Sequence, residues 1–158
     1  MSRPPASPGL RVVYYDHQAG GDQAGFRSGA ADRVVTGRDG VAEAVSGVRI
    51  PPNSLHALLG HGVADRLDRL PLVYGRVAAG TEAVLRPTAF SEASRILYEA
   101  DRKTYGAIHE FVTHEEAGPD PVQYRIVVDN REYQRTLARL QYLLTLAGRE
   151  GYGVRLRL

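Results

Sequence analysis

Residues Ala107 to Gly118 read "AIHEFVTHEEAG", a stretch that gathers two of the chain's five histidines and three of its eighteen carboxylates. Imidazole beside carboxylate is the material of zinc ligation and of acid-base catalysis, so spacing decides what is possible. A zinc-binding helix of the His-Glu-x-x-His type needs its histidines four residues apart. His109 and His114 are five apart, roughly 140° around a helix. On a strand, residues alternate sides, so His109 and His114 would face opposite ways, while Glu110 and His114 would share a side at about 13 Å. Only His114 and Glu116 could chelate together, and a third ligand would have to come from elsewhere. No metal and no cofactor is expected.

Other pairings are chemically conceivable. His56 and His61 lie in "SLHALLGHG", Asp16 adjoins His17, and an imidazole could activate Ser54 or Thr113. The chain has no G-x-S-x-G, no phosphate-binding G-x-x-x-x-G-K-[ST] and no G-x-G-x-x-G. The enzyme alternative is therefore a small hydrolase or transferase. It would use histidine and carboxylate from the 107–116 strand, with the Gly-rich 19–30 segment as a lid.

The arginines are more organised. Nineteen of the twenty basic residues are arginine, Lys103 being the exception, and arginine suits planar, bidentate contacts to carboxylate or phosphate. Arg131, Arg135 and Arg139 recur at spacing four opposite an apolar seam, with Tyr142 at the end of the stripe. Arg155 and Arg157 alternate with Val154, Leu156 and Leu158, so they should project from one side of a terminal strand. Residues 129–158 carry +3, leaving −1 for the rest of a chain of net charge +2. If Val73, Val77, Tyr124, Ile126 and Val128 face the helices, then Leu72, Tyr74, Arg76, Arg125, Val127, Arg155 and Arg157 line the opposite sheet face. Such an aromatic and arginine face stacks bases and holds phosphates in ferredoxin-like RNA binders. "QYRIVVDN" lacks the glycine and paired aromatics of the RNP1 pattern, so an RRM is not indicated.

The elements that position these residues follow from pattern. Residues 1–9 hold three prolines and no periodicity, which predicts a disordered tail. "LRVVYYDH" reads as a strand, "QAGGDQAGFRSGAAD" as a loop, "RVVTG" as a short strand and "VAEAVSG" as a short helix. A helix follows from about Ser54, capped by Asn53 or Ser54, with Leu55, Leu58, Leu59, Val63 and Leu67 inward; Gly60 and Gly62 weaken it. "LVYGRVAAGTEAVL" reads as a hairpin or bent strand turning at Gly80-Thr81. The next helix is capped by Thr88, with Phe90, Ala93, Leu97 and Ala100 inward and Glu92, Arg95, Glu99, Arg102 and Lys103 pairing outside. "AIHEFVT" and "VQYRIVVD" are strands. Asp129 and Glu132 form a capping box for the clearest helix, which buries Tyr133, Leu137, Leu140, Leu144 and Ala147 and stops at Gly148 or Gly151. "YGVRLRL" ends the chain as a strand.

Together these predict a single α+β domain over 10–158. Residues 71–158 follow the split β-α-β order of a ferredoxin-like sandwich, with both helices on one face of an antiparallel sheet and residues 10–70 extending or covering it. With 158 residues, no cysteine, no apolar run near membrane-spanning length and no apolar core behind Arg3, a soluble cytoplasmic protein is expected, without disulfides or a membrane. The expected function is non-catalytic binding of an acidic protein or nucleic acid through the arginine surface. A third reading is a self-associating scaffold, a homo-oligomer pairing through an edge such as the last strand.

Overall fold

Strand alternation and leucine periodicity both survive folding, but the strands are shared between two sheets. The computed structural model describes residues 9–15, 29–36, 42–77 and 82–158. The strands are β1 (Arg11–Tyr15), β2 (Gly29–Thr36), β3 (Ala42–Ile50), β4 (Glu82–Leu85), β5 (Ile108–Glu116), β6 (Val122–Asp129) and β7 (Gly153–Arg157). The helices are α1 (Pro52–Gly60), α2 (Val63–Asp68), α3 (Phe90–Lys103) and α4 (Asn130–Glu150). The smaller sheet has the order β1-β6-β5, with β1 parallel to β6, and the larger has the order β3-β2-β7-β4, antiparallel throughout. The α+β class is as expected.

Residues 82–158 do run strand, helix, strand, strand, helix, strand. A ferredoxin-like sheet would seat β4 beside β6 as well as beside β7. Instead β6 takes β1 on that side, so one antiparallel sheet becomes two. The N-terminal segment does more than cover a finished sheet: β1 completes the smaller one, and β2 and β3 form half of the larger. Two element readings are also corrected. Of "VAEAVSG", Ala42 to Gly47 lie in strand β3, because antiparallel pairing with β2 overrides the helical leaning of alanine and glutamate, and Val41 is outside the described residues. Residues 29–32, read as loop, begin β2. The 1–9 tail, apart from Gly9, and the 19–30 lid, apart from Gly29 and Ala30, lie outside the described residues.

The helices keep their predicted faces except at Leu59, and of the predicted caps only Asp129 is retained. Gly60-His61-Gly62 splits the first predicted helix into α1 and α2; Pro51 stands at the N-cap of α1, and Leu59 faces solvent. Thr88 sits in a 3-10 turn ahead of α3 and does not cap it. On α3, Arg95 pairs with both Glu92 and Glu99, as the spacing predicts. Asp129 caps α4 by accepting from the backbone N–H groups of Arg131 and Glu132. Glu132 does not complete the box: the Asp129 N–H donates to Oδ1 of Asn53 at 2.6 Å, and Nδ2 of Asn53 donates to the Asp129 carbonyl at 3.0 Å. Asn53, expected as a cap of its own helix, thus fixes α1 to the junction of β6 and α4.

One continuous core runs beneath both sheets. Tyr133, Leu137, Leu140, Leu143 and Leu144 of α4 meet Leu55 and Leu58 of α1, Leu67 of α2, Ile96 and Leu97 of α3, and Val154 and Leu156 of β7. Arg33 on β2 reaches under the sheet to Glu150 at 3.3 Å, near the C-terminal end of α4. Residues 72–74 pair antiparallel with 84–85, through a Leu72–Leu85 bridge and backbone bonds from Val73 N–H to the Val84 carbonyl and from Val84 N–H to the Tyr74 carbonyl, while the expected Gly80-Thr81 turn lies outside the described residues. Gly75 allows this approach: its φ is +77°, and a Cβ there would lie 1.8 Å from the Glu82 carbonyl oxygen. Val77 is buried as expected, whereas Val73 is exposed. Residues 72–74 thereby screen β4, and β3 is left as the open edge of the larger sheet among the described residues.

Candidate functional site

The opening histidine stretch forms β5, with a bulge between Val112 and His114. The bulge changes the facing argument. His109 pairs with Val128 and His114 with Tyr124, and residues directly opposite on neighbouring strands share a face. Val128 and Tyr124 are four apart on β6, so His109 and His114 lie on the same face, contrary to the strict alternation expected. They stand about 13 Å apart along the strand. Glu110 pairs with Val127 and points the other way, toward Arg125 at 3.5 Å. His114 stacks on Tyr124 and lies 3.9 Å from Glu116. Among the described residues no three His, Asp or Glu side chains converge on one point.

His109 instead joins an aromatic cluster. Its ring lies 5.0 Å from His61, which stacks on Tyr133 at 4.9 Å and meets the edge of Phe111 at 4.8 Å. Burial, and next the neighbouring His109, hold the His61 imidazole below its ordinary value of 6.5; the Asn130 side chain acts weakly the other way. In the unfolded chain His61 takes a proton at the ordinary value, so the stability it contributes is complete above pH 6.5 and is lost as pH falls toward the lowered folded value. Urea midpoints compared at neutral and mildly acidic pH should therefore drop on acidification. His61→Phe, which keeps the ring stack, should reduce that drop.

The hydroxyls offered as nucleophiles have structural partners. Ser54 Oγ accepts from Thr136 Oγ1 at 2.8 Å in the buried α1–α4 contact, and Thr113 Oγ1 donates to the Tyr124 carbonyl at the bulge. Asp16 and His17 lie outside the described residues. Among the described residues the ring neighbours of His109 are His61 and Phe111, and no carboxylate is paired with it.

The expected arginine face is divided by the two sheets. Arg125 and Val127 are on the smaller sheet, where Nε of Arg125 donates to Gln123 at 2.6 Å. Arg155 and Arg157 are on the larger one, and both are engaged. Arg155 makes a two-bond fork to Asp32, at 3.1 and 2.5 Å, with side chains only 17% and 15% exposed. Arg157 binds Glu82 at 2.8 Å, and Tyr74 donates to the same carboxylate at 2.7 Å. The Tyr74 hydrogen bond first, helped by Arg157, holds the Glu82 carboxyl below its usual range. Arg76 stands apart on the rim of a mixed-charge hollow with Asp65, Asp68 and Arg69. The last strand is also no edge: β7 is paired by β2 on one side and β4 on the other, so the scaffold reading loses the edge it invoked.

The helical stripe remains available. Arg131, Arg135 and Arg139 are exposed on α4, and no ion pair engages them among the described residues. At its C-terminal half the stripe meets β3. Ser46, Gly47, Val48 and Arg49 of the strand and Ala138, Arg139 and Tyr142 of the helix line a groove of about 560 Å³. Tyr142 is 64% exposed there. Gly47 and Arg49 do not stand out in the sequence, because Gly47 closes the "VAEAVSG" segment that reads as a helix and Arg49 follows just after it. The signal lay just beyond: Val48 and Ile50 flank Arg49 at strand spacing and turn inward. The chain matches no protein-family model, no curated protein and no solved structure. No helix among the described residues is long and apolar enough to cross a membrane.

Proposed function

We propose that the protein is a non-catalytic binding module that holds an acidic protein partner through the basic side formed by Arg131, Arg135 and Arg139 of α4 with Arg49 of β3. The observation that carries this reading is the contrast between two arginine sets. Arg155 and Arg157 of β7 are tied to Asp32 and Glu82, whereas Arg131, Arg135 and Arg139 of α4 and Arg49 of β3 have no ion pair among the described residues, and Arg139 and Arg49 line one groove with the exposed Tyr142. Unneutralised guanidinium groups keep their bidentate donors for an incoming carboxylate. A nucleic acid is the less favoured partner. The aromatic sheet face that would stack bases is not assembled, since Tyr74 is held by Glu82 and Arg125 belongs to the other sheet.

Titration of the protein with polyglutamate and with single-stranded oligodeoxythymidylate, each over a salt series, tests this. Polyglutamate should bind at low salt and release as salt rises. Replacing Arg131, Arg135 and Arg139 together by Ser should weaken it about tenfold, at roughly 0.5 kcal/mol per exposed contact. Equal affinity of parent and triple variant would sink the proposal. Binding of the oligonucleotide alone would transfer the surface to nucleic acid.

A further inference from the structure

The basic side includes the edge of a sheet, and the ground on either side of that edge is hollow. Among the described residues β3 pairs only with β2, and none of its backbone groups bonds outside that ladder. Register fixes which way its residues point. Val48 is opposite buried Ala31 and turns toward α4; Gly47 and Arg49 are opposite Asp32 and Ala30 and lie on the outer face. The groove against α4 occupies the inner side. A second hollow of about 410 Å³ occupies the outer side, lined by Ala30, Asp32, Arg155 and Arg157. Both hollows are bounded by Gly47, Val48 and Arg49, so they meet at the same stretch of edge.

We infer that β3 receives an acidic, extended segment of another protein, which adds to its edge as a fifth strand of the larger sheet; this deepens the binding-module reading and rests on it. A strand sends successive side chains to opposite faces, and an added strand bonds through its backbone while alternate side chains find pockets. Two hollows flanking one edge match that alternation. Inward-turned side chains would reach Tyr142 and Arg139. Outward-turned ones would lie over Gly47 and Ala30, within reach of Arg49 and of Arg157, which is 60% exposed despite its bond to Glu82. The small floor residues leave the room: a Cβ at Gly47 would meet Asp32 at an ordinary 3.6 Å, so nothing in the fold demands glycine there. Charge gives the selectivity, because Arg49 and Arg139 repel a basic strand and attract carboxylates.

The experiment uses five labelled probes on the full chain, followed by fluorescence anisotropy: an alternating Glu-Val octapeptide, its Lys-Val counterpart, two Glu-Val peptides N-methylated at alternate residues in the two opposite phases, and single-stranded oligodeoxythymidylate. The Glu-Val peptide should bind and the Lys-Val peptide should not. One of the two N-methylation phases should lose at least tenfold in affinity, because it removes the N–H groups that face β3. Gly47→Gln, which fills the outer hollow, should weaken Glu-Val binding about tenfold with an unchanged melting temperature; if that variant is unstable, the N-methylated probes decide alone. Equal binding of both N-methylated peptides and the parent would remove strand addition. If that binding is still lost in the Arg131, Arg135 and Arg139 variant, the acidic-partner reading stands without it. No binding of the Glu-Val peptide at millimolar concentration overturns strand addition, and polyglutamate binding then decides the broader reading separately. Displacement of the peptide by the oligonucleotide, with no loss in Gly47→Gln, overturns it in favour of a nucleic-acid surface.

Discussion

Leu140→Asp is expected to lower the unfolding free energy by about 4–5 kcal/mol, combining lost burial of a leucine with the cost of a carboxyl group lacking a partner. Leu140 is buried and borders a small apolar void with Leu67, Leu85, Leu97, Val154 and Leu156. None of these can donate a hydrogen bond through its side chain, so the new carboxyl has to stay neutral and unsatisfied or pull the helix away from the core. For a chain of this size that is roughly 10–20 °C in melting temperature, a large share of the 5–15 kcal/mol typical of a domain. Arg139→Ala, one residue earlier on the exposed stripe, should stay within about 0.5 kcal/mol of the parent. Circular dichroism melts of the two variants check the pair. Equal shifts would mean that the inward face of α4 has been misassigned.

That face was legible because a helix writes its packing locally. Tyr133, Leu137, Leu140, Leu144 and Ala147 repeat at helical spacing behind an Asp129 cap, and Gly151 ends the run in the left-handed conformation at φ +73°. The strands wrote theirs only in part. Alternation in "YGVRLRL" and "VQYRIVVD" gives a strand and its two faces, but the choice of neighbour depends on segments far away in sequence. Thus β6 pairs with β1 more than a hundred residues earlier, and β7 lies between β2 and β4. One unpaired residue can also reverse a facing argument, as the bulge after Val112 does for His109 and His114. The candidate surface follows the same division. Arg131, Arg135 and Arg139 are visible from their spacing, whereas Arg49 and Gly47 acquire a role only once β3 is known to be an edge beside α4. Asn53 is a further case, since its bonds to both backbone groups of Asp129 join residues 76 positions apart.

Arg155→Ser is expected to cost about 2–3 kcal/mol, or roughly 5–10 °C in melting temperature, although alternation with Val154 and Leu156 suggests a solvent-facing side chain that could be removed freely. The difference lies in Asp32. Pairing β7 with β2 sets Arg155 opposite Asp32 on the outer face, where both side chains are mostly covered and joined by two hydrogen bonds. Removal of the arginine leaves a carboxylate with little water and no guanidinium, whereas removal of both partners leaves neither charge behind. A double-mutant cycle of Asp32→Ala and Arg155→Ala should therefore show strong non-additivity, with the double variant more stable than the two single losses predict. Arg155→Lys should fall between parent and Ser variant, because an ammonium keeps the charge but not the planar fork. Arg157→Ser should cost little, as its side chain is mostly in solvent and Glu82 retains Tyr74. If Arg155→Ser melts with the parent, Arg155 is free in solution. It would then rejoin Arg49 on the basic side, and the separation of structural from binding arginines would fail.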